Sequence, residues 1–356
     1  EKIQSDKSQS RKLWQSVNTL LGRQKVAADS QIAADDFQDF FTQKVADVRS
    51  STEGAGPTDY TSPPGCNMST FQHLSTDDVI RLIQATPDKQ SPVDPLPTSL
   101  LKSCAEELAP FLTRLVNLSL SAGIVPSKFK AAVITPLLKK PTLDGADVRS
   151  YRPISNLPVI SKLLERAVCS QLVNYLNINN LMPEKQSAYR SFHSTETALA
   201  KVLNDILTAI DSGDISLLAL LDLSAAFDTV DHDILLQRLN ISFGLSSTVL
   251  GWLRSYLCCR SQCVRRGNQV SSTSIMTCGV PQGSVLGPLL FLLYTADLAP
   301  LIRQHDLDCH LYADDTQIYG HSSPGSTSTL HNTTELCIST VACWMRRNRL
   351  QLNAAK

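Results

Sequence analysis

The chain has 356 residues, of which 42% are apolar, and its 33 basic side chains balance its 33 acidic ones. This length suffices for one large hydrophobic core or two smaller ones. No run approaches eighteen apolar residues without a charge or a helix breaker. The start, EKIQSDKSQSRK, lacks the apolar core of a signal peptide. We therefore expect no membrane span and no secretory leader.

The ten cysteines are scattered along the chain, which is typical of reduced thiols in an intracellular protein. The most closely spaced set does not have the paired spacing of zinc ligands: Cys258, Cys259, Cys263 and Cys278. A structural zinc site is therefore not expected.

Charge is unevenly distributed despite the balance. Basic residues cluster in 128–166, 254–266 and 346–349, whereas acidic residues concentrate in 205–233. An acidic centre flanked by basic segments suits metal ions beside a polyanion, although any single run is typical of a solvated face.

The first third of the chain is mainly helical in pattern. Apolar residues keep helical spacing in 13–21 and 37–48, and the Ser-, Gly- and Pro-rich stretch 51–65 predicts a flexible linker. Thr76 predicts the cap of a short helix, and the apolar stretch 98–122 predicts a helix interrupted at Pro110.

A β-hairpin with basic ends follows. Residues 131–138 are an apolar strand ending on Lys139 and Lys140, and a turn-forming loop leads to YRPISNL at 151–157. The cations of Lys139, Lys140 and Arg152 would pair well with a triphosphate. Asn156 predicts the cap of a helix to about residue 175, and Ser194 that of a helix to about residue 211.

The central region places a carboxylate at the end of a strand. Residues 216–221 are continuously apolar, which predicts a strand buried on both faces, and the run ends at Asp222. A helix is predicted in 229–239, and strands in 262–265 and 271–277. In GVPQGSVLGP, Gly283 and Gly287 leave the backbone bare for a base pair or sugar, and a long apolar helix follows to residue 298.

The stretch LYADDTQI, residues 311–318, predicts a strand, a tight turn with two acids, and a returning strand. Neighbouring like charges repel unless a cation lies beside them, and Mg²⁺ prefers a few carboxylates together with substrate phosphates. Alone, Asp314 and Asp315 would be read as a solvated turn.

Several motifs occur together in one order: PLLKKP with YRPISNL, QSAYRSFHST, LDLSAAFDTVDH, GVPQGSVLGPLLF, LYADDTQIY and LQLNAAK. In this order and spacing they resemble reverse transcriptases, specifically those of non-LTR (long interspersed element) retrotransposons. The resemblance covers about residues 71–356. It implies an α+β fold with the fingers and palm of a right-hand polymerase, palm motifs in 215–320, and a helical extension with a linker in 1–70.

The resemblance also implies roles for individual residues. Asp222, Asp314 and Asp315 match the three catalytic carboxylates, and the Leu223 carbonyl would also face a metal. The resemblance implies further contacts with the substrates. Lys139 or Lys140 and Arg152 would contact the triphosphate, and Phe227 would crowd the sugar 2′ position. Gln282 and Gly283 would pack on the template and nascent pair, and Lys356 would protonate the leaving pyrophosphate. Where many relatives carry Ser, this chain has Gly287.

The implied reaction needs two Mg²⁺ ions, for which Mn²⁺ could substitute, about 3.5–4 Å apart. The implied partners are an RNA template, a DNA primer, dNTPs and the element RNA in a ribonucleoprotein, in cytoplasm and nucleus. Two alternatives remain: a non-catalytic, nucleic-acid-binding relic of a mobile element, and an RNA-templated RNA polymerase, against which Phe227 argues. Because the sequence stops where the last motif closes, we expect a missing thumb and weak extension.

Overall fold

The computed structural model describes residues 32–60, 65–88, 94 and 97–353. The predicted helix in 13–21 and Lys356 lie outside the described residues.

The helices of the described part are α1 (Ala34–Ser51), α2 (Thr76–Gln84), α3 (Thr98–Ser103), α4 (Ala105–Ala122), α5 (Val159–Ile178), α6 (Thr195–Asp211), α7 (His232–Ile241), α8 (Ser247–Leu257), α9 (Leu286–Tyr294), α10 (Leu298–Arg303) and α11 (Thr327–Arg347). The strands are β1 (Ala131–Leu138), β2 (Tyr151–Asn156), β3 (Ile215–Leu221), β4 (Arg260–Arg266), β5 (Gln269–Val270), β6 (Ser274–Met276), β7 (Asp308–Tyr312) and β8 (Asp315–Ser322). The chain is therefore mixed α+β, as predicted.

The larger sheet is built on the basic hairpin. Strands β1 and β2 pair antiparallel, β1 pairs parallel with β4, and both β5 and β6 pair antiparallel with β4. Helix α1 covers one face, where Phe37 and Phe41 pack on Ile134, Tyr151 and Val264. The helical spacing of 37–48 predicted this helix because its apolar stripe needs a surface to bury against.

The smaller sheet carries the acids. Its order is β3, β8, β7, and all its pairs are antiparallel. The tight hairpin predicted for LYADDTQI is confirmed, with Tyr312 pairing with Asp315 across the turn. Helices α5 and α7 to α11 contribute to the main hydrophobic core beside this sheet.

Strand β3 corrects one expectation. It was predicted to be buried on both faces, yet it is an edge strand with Leu218 and Leu220 exposed by 44% and 68%. A short apolar run does not show which elements will cover each face of its strand, so composition alone could not distinguish a buried strand from an exposed edge strand.

Several predicted boundaries are also wrong. The break in 98–122 lies at Cys104, whereas Pro110 is accommodated inside α4. Asn156 belongs to β2, where its amide donates to the Val133 carbonyl, so α5 begins later, at Val159. Thr76 is the first residue of α2, and Ser75 caps it.

The stretch predicted as a flexible linker is held in place over residues 52–60. The Tyr60 hydroxyl donates to Gln237, the Thr58 hydroxyl donates to the Arg347 carbonyl, and Arg347 pairs with Asp59. Its composition was typical of a linker, but long-range polar contacts fix it against α7 and α11.

The stretch Leu286–Arg303 is long and apolar enough to cross a membrane by length and composition alone. In the structure it is divided between α9 and α10, and 67% of it is buried inside the protein. Its apolar character is therefore accounted for by the main core.

Candidate active site

Three carboxylates lie at one end of the smaller sheet. Leu221 at the end of β3 pairs with Thr316 of β8, so Asp222 and Asp315 follow at neighbouring positions on adjacent strands. Asp314 lies in the two-residue turn before Asp315, where Ala313 has φ 56°. The sheet thus brings together the three acids that were predicted from two distant motifs.

Asp222 is held by a segment near the end of the described chain. Its carboxylate accepts a hydrogen bond of 2.9 Å from the Asn353 side chain, and its carbonyl accepts one of 2.9 Å from the Asn353 amide. Ser224 donates its amide to the Gln351 carbonyl, which extends this pairing. Asn353 was not recognised from sequence. The only signal was its place inside LQLNAAK.

A cavity of about 760 Å³ lies between the two sheets and α1. It is lined by most of the predicted site residues, namely Lys139, Arg152, Leu223, Phe227, Gln282, Gly283 and Asp314. A second cavity of about 560 Å³, beside the start of α6, is lined by Asp222 and Asp315. The three carboxylates are therefore divided between the two cavities, with Asp314 on the larger and Asp222 and Asp315 on the smaller.

The basic hairpin contributes Lys139 and Arg152 to the larger cavity, whereas Lys140 is not among its lining residues. The Lys139 ammonium donates to the Arg149 carbonyl at 2.7 Å. Arg152 is exposed and lies opposite Leu137 in the β1–β2 pair. Both cations thus face the cavity from its β1–β2 wall.

Phe227 lines the larger cavity from the segment that follows β3. Its ring stacks on Phe291, with centroids 4.4 Å apart and planes at 24°, and its carbonyl accepts the Val280 amide at 2.8 Å. The side chain is half-buried and still lines the cavity. Phe227 is therefore fixed from behind and presents the rest of its ring to the cavity.

The GVPQG loop contacts both the segment after β3 and strand β2. The Gln282 amide donates to both carboxylate oxygens of Asp228, at 2.9 and 2.7 Å, and the Gln282 carbonyl accepts the Ser155 amide at 2.7 Å. Gly283 has φ +111°, and a Cβ there would lie 2.8 Å from the Ser155 carbonyl oxygen. Glycine is thus required by the close approach of β2.

Gly287 does not leave bare backbone for a nucleic acid, contrary to the sequence-based prediction. It is buried in α9, and a Cβ there would lie 2.6 Å from the Ser284 hydroxyl oxygen. The absent side chain serves packing within the loop, and that hydroxyl accepts the Gly287 amide at 3.0 Å.

Burial raises the pKa of Asp228 to about 6, although Gln282 and the charge of Lys44 lower it. In the unfolded chain this carboxyl ionises near its ordinary value, so folding favours its protonated form between about pH 4 and 6. Ionisation of Asp228 therefore destabilises the fold as pH rises through this window, and the full penalty applies above it.

We expect Asp228→Asn to increase the free energy of unfolding at pH 7.5 by roughly 1–3 kcal/mol, and to have little effect at pH 4. The asparagine retains an acceptor for Gln282. Urea denaturation at both pH values measures the difference. Asp211→Asn at the protein surface is the reference for removing one charge, and equal gains at both pH values for Asp228→Asn would contradict the prediction.

The site suits a divalent metal by the chemistry of its donors. Within the described ranges, no three Asp, Glu, His or Cys side chains form a ready-made metal site. Mg²⁺, however, is commonly held by one or two carboxylates together with substrate phosphates. Asp222 and Asp314 fit such a site, which the nucleotide would complete.

Helix α1 adds cations that sequence reasoning missed. Lys44 and Arg49 both line the larger cavity, and Arg49 donates to the Asp231 carboxylate at 3.0 Å. Their spacing on one helix was the available signal, but nothing local showed that this helix packs on the hairpin. Tyr189 also lines the cavity, and burial together with the charge of Asp314 raises its pKa.

Comparison with known families identifies the fold that carries this site. Residues 138–356 match the family model described as reverse transcriptase (RNA-dependent DNA polymerase), which is more than half of the chain. The chain belongs to the reverse transcriptase family. The match includes β2, the GVPQG loop and all three carboxylates, whereas α1, which also lines the larger cavity, lies outside it.

Similar proteins come from mobile elements of Drosophila melanogaster. The chain is 32% identical over 289 residues to a probable RNA-directed DNA polymerase from transposon BS, covering 80% of this chain and 31% of that protein. It is 31% identical over 251 residues to the RNA-directed DNA polymerase from mobile element jockey, covering 69% and 27%. The assignment to non-LTR reverse transcriptases is confirmed. The matched region spans less than a third of the length of these relatives.

Proposed function

We propose that this reverse transcriptase-family chain is an RNA-directed DNA polymerase that transfers nucleotides from dNTPs to a primer 3′-hydroxyl on an RNA template. The observation that carries the proposal is the larger cavity, which is lined by the Asp314 carboxylate, by the cations Lys139 and Arg152, and by the ring of Phe227. A nucleotide requires a carboxylate to hold the metal ions that bind its phosphates, cations to neutralise its outer phosphates, and a surface against its sugar.

In this proposal the larger sheet with α1 belongs to the fingers, and β3, β7 and β8 form the palm. Asp222 and Asp314 would hold two Mg²⁺ ions, which would polarise the α-phosphate and stabilise the charge that develops on the leaving pyrophosphate. Asn353 keeps the Asp222 carboxylate in place, while Lys139 and Arg152 neutralise the outer phosphates. No nucleophile from the protein is needed, since the primer hydroxyl attacks.

The proposed partners are an RNA template, a DNA primer and dNTPs, with the element RNA in a ribonucleoprotein in cytoplasm and nucleus. The test is primer extension on an RNA template, with dNTPs and with rNTPs, at a fixed salt concentration. Extension with dNTPs supports the proposal. Extension with rNTPs alone would indicate an RNA polymerase, and binding without extension at saturating Mg²⁺ a non-catalytic relic.

Arg152 should control nucleotide affinity. We expect Arg152→Ala to raise the KM for dNTP about tenfold or more with a smaller change in kcat, because its guanidinium pairs with phosphate in the ground state and the transition state alike. The control is Arg149→Ala in the same hairpin loop, where Arg149 pairs with Asp147. Steady-state incorporation measures both, and an unchanged KM would remove Arg152 from the site.

A further inference from the structure

The turn that presents Asp314 is conformationally costly. Ala313 has φ 56°, in the left-handed region that residues with a Cβ seldom adopt, and no glycine relieves it. Such a backbone conformation is strained and persists only where its surroundings determine it. Side chains that hydrogen-bond to this turn therefore help to hold it, in addition to the Tyr312–Asp315 pair of the hairpin.

A segment from QSAYRSFHST lies along the outer edge of β7. The Leu311 amide donates to the Lys185 carbonyl at 2.8 Å, and the Ser187 amide donates to the Leu311 carbonyl at 3.0 Å. Gln186 lies between these two bonds and is only 1% exposed. Its side chain is thereby directed along the strand to the turn.

The Gln186 amide contacts both sides of the strained residue. Its oxygen accepts the Ala313 amide at 3.0 Å and the Ala188 amide at 2.9 Å. Its nitrogen donates to the Ala313 carbonyl at 3.4 Å. Because that carbonyl carbon is bonded to the Asp314 nitrogen, the plane of the peptide leading into Asp314 is fixed by Gln186.

We propose that Gln186 is a positioning residue that fixes the Ala313 turn and thereby orients the Asp314 carboxylate toward the proposed metal site. The inference rests on the proposed function, because it concerns the same carboxylate. A primary amide of this length offers an acceptor to both the part-buried Ala313 N–H and the buried Ala188 N–H, and a donor to the Ala313 carbonyl. An apolar replacement would leave both N–H groups unpaired, and a carboxylate would lose the donated bond.

The chain provides a matched control. Gln171 on α5 holds the Gln72 peptide in the same way, accepting its amide at 2.7 Å and donating to its carbonyl at 3.0 Å. Neither Gln171 nor Gln72 lines the two cavities of the site. Replacing Gln171 therefore removes an equivalent clamp that has no connection to Asp314.

The experiment compares Gln186→Met with Gln171→Met in three measurements: single-nucleotide incorporation, Mn²⁺ binding followed by electron paramagnetic resonance, and hydrogen exchange of the Ala313 amide. For Gln186→Met we expect the incorporation rate and the Mn²⁺ affinity to fall about 10–100-fold, with the KM for dNTP within about twofold. Exchange at Ala313 should accelerate. Gln171→Met should leave all three unchanged.

Rate and Mn²⁺ affinity within twofold of the Gln171→Met values would overturn the proposal. If Gln186→Met does not fold, Gln186→Glu against Gln171→Glu decides, because each keeps the accepted bonds, loses the donated bond and adds one charge. Slower incorporation, altered Mn²⁺ affinity or faster exchange of the Ala313 amide in Gln186→Glu alone supports the proposal. Equal behaviour of the two variants overturns it. A wild-type chain that incorporates nothing would refute the proposed function, while Mn²⁺ binding and amide exchange would still decide the role of Gln186.

Discussion

Replacing Asp314 by Asn, or Asp222 by Asn, should reduce nucleotide incorporation about a thousandfold or more while the fold persists. Each change removes one negative charge from the site proposed to hold the metal ions, whose stabilisation of the transition state is worth several kcal/mol at about 1.4 kcal/mol per tenfold in rate. The Asn353 contact should survive in Asp222→Asn, because the new side chain still offers an oxygen to that donor.

The measurement is single-turnover incorporation at saturating Mg²⁺, with circular dichroism as a check on folding. Asp308→Asn is the matched control, because Asp308 lies in the same hairpin but pairs with Lys185 at the far end of β7. Asp315→Asn should cause a smaller loss, since in the proposed site Asp315 would support Asp222 and Asp314 without being a main metal ligand. Near wild-type rates in Asp222→Asn or Asp314→Asn would show that the catalytic assignment is wrong.

The second large effect concerns the choice of sugar. Phe227 rests on Phe291 and is fixed through its carbonyl, so its ring cannot easily retreat when a nucleotide enters the cavity. A 2′-hydroxyl placed against this ring would lose its hydrogen bonds to water, which costs on the order of 1–3 kcal/mol, and steric overlap adds to that. A preference of about a hundredfold or more for deoxynucleotides follows.

We therefore expect Phe227→Ala to admit ribonucleotides while largely keeping deoxynucleotide incorporation. The measurement is kcat/KM for a matched ribonucleotide and deoxynucleotide on one RNA template. Phe40→Ala is the control, because Phe40 lines the same cavity from α1. If the ratio changes equally in both variants, or in neither, sugar selection does not depend on Phe227.

The sequence was most informative where short-range patterns determine structure. Strand β1 has the predicted bounds, the hairpin around Asp314 forms as predicted, and Ser194 caps α6. In each case alternation, a tight turn or a capping hydroxyl acts within a few residues. The carboxylate Asp222 was located for the same reason, since an apolar strand ends directly before it.

The remaining features depend on contacts between distant parts of the chain. Gln186 holds a turn 127 residues away, and Asn353 holds a carboxylate 131 residues away. The exposure of β3 depends on which strand lies beside it, and the order of residues 52–60 depends on α7 and α11. No local pattern records these pairings, which is why the site residues were predicted but the groups that position them were not.

The Asn353 contact has a consequence for biosynthesis. A ribosome must add 131 residues after Asp222 before the donor to its carboxylate exists, which takes about ten seconds at ordinary rates of elongation. During that interval the nascent chain can carry β3 and all three acids without the segment that holds the Asp222 carboxylate. Catalytic competence should therefore arise late in translation, after the GVPQG loop and the acidic hairpin have already been made.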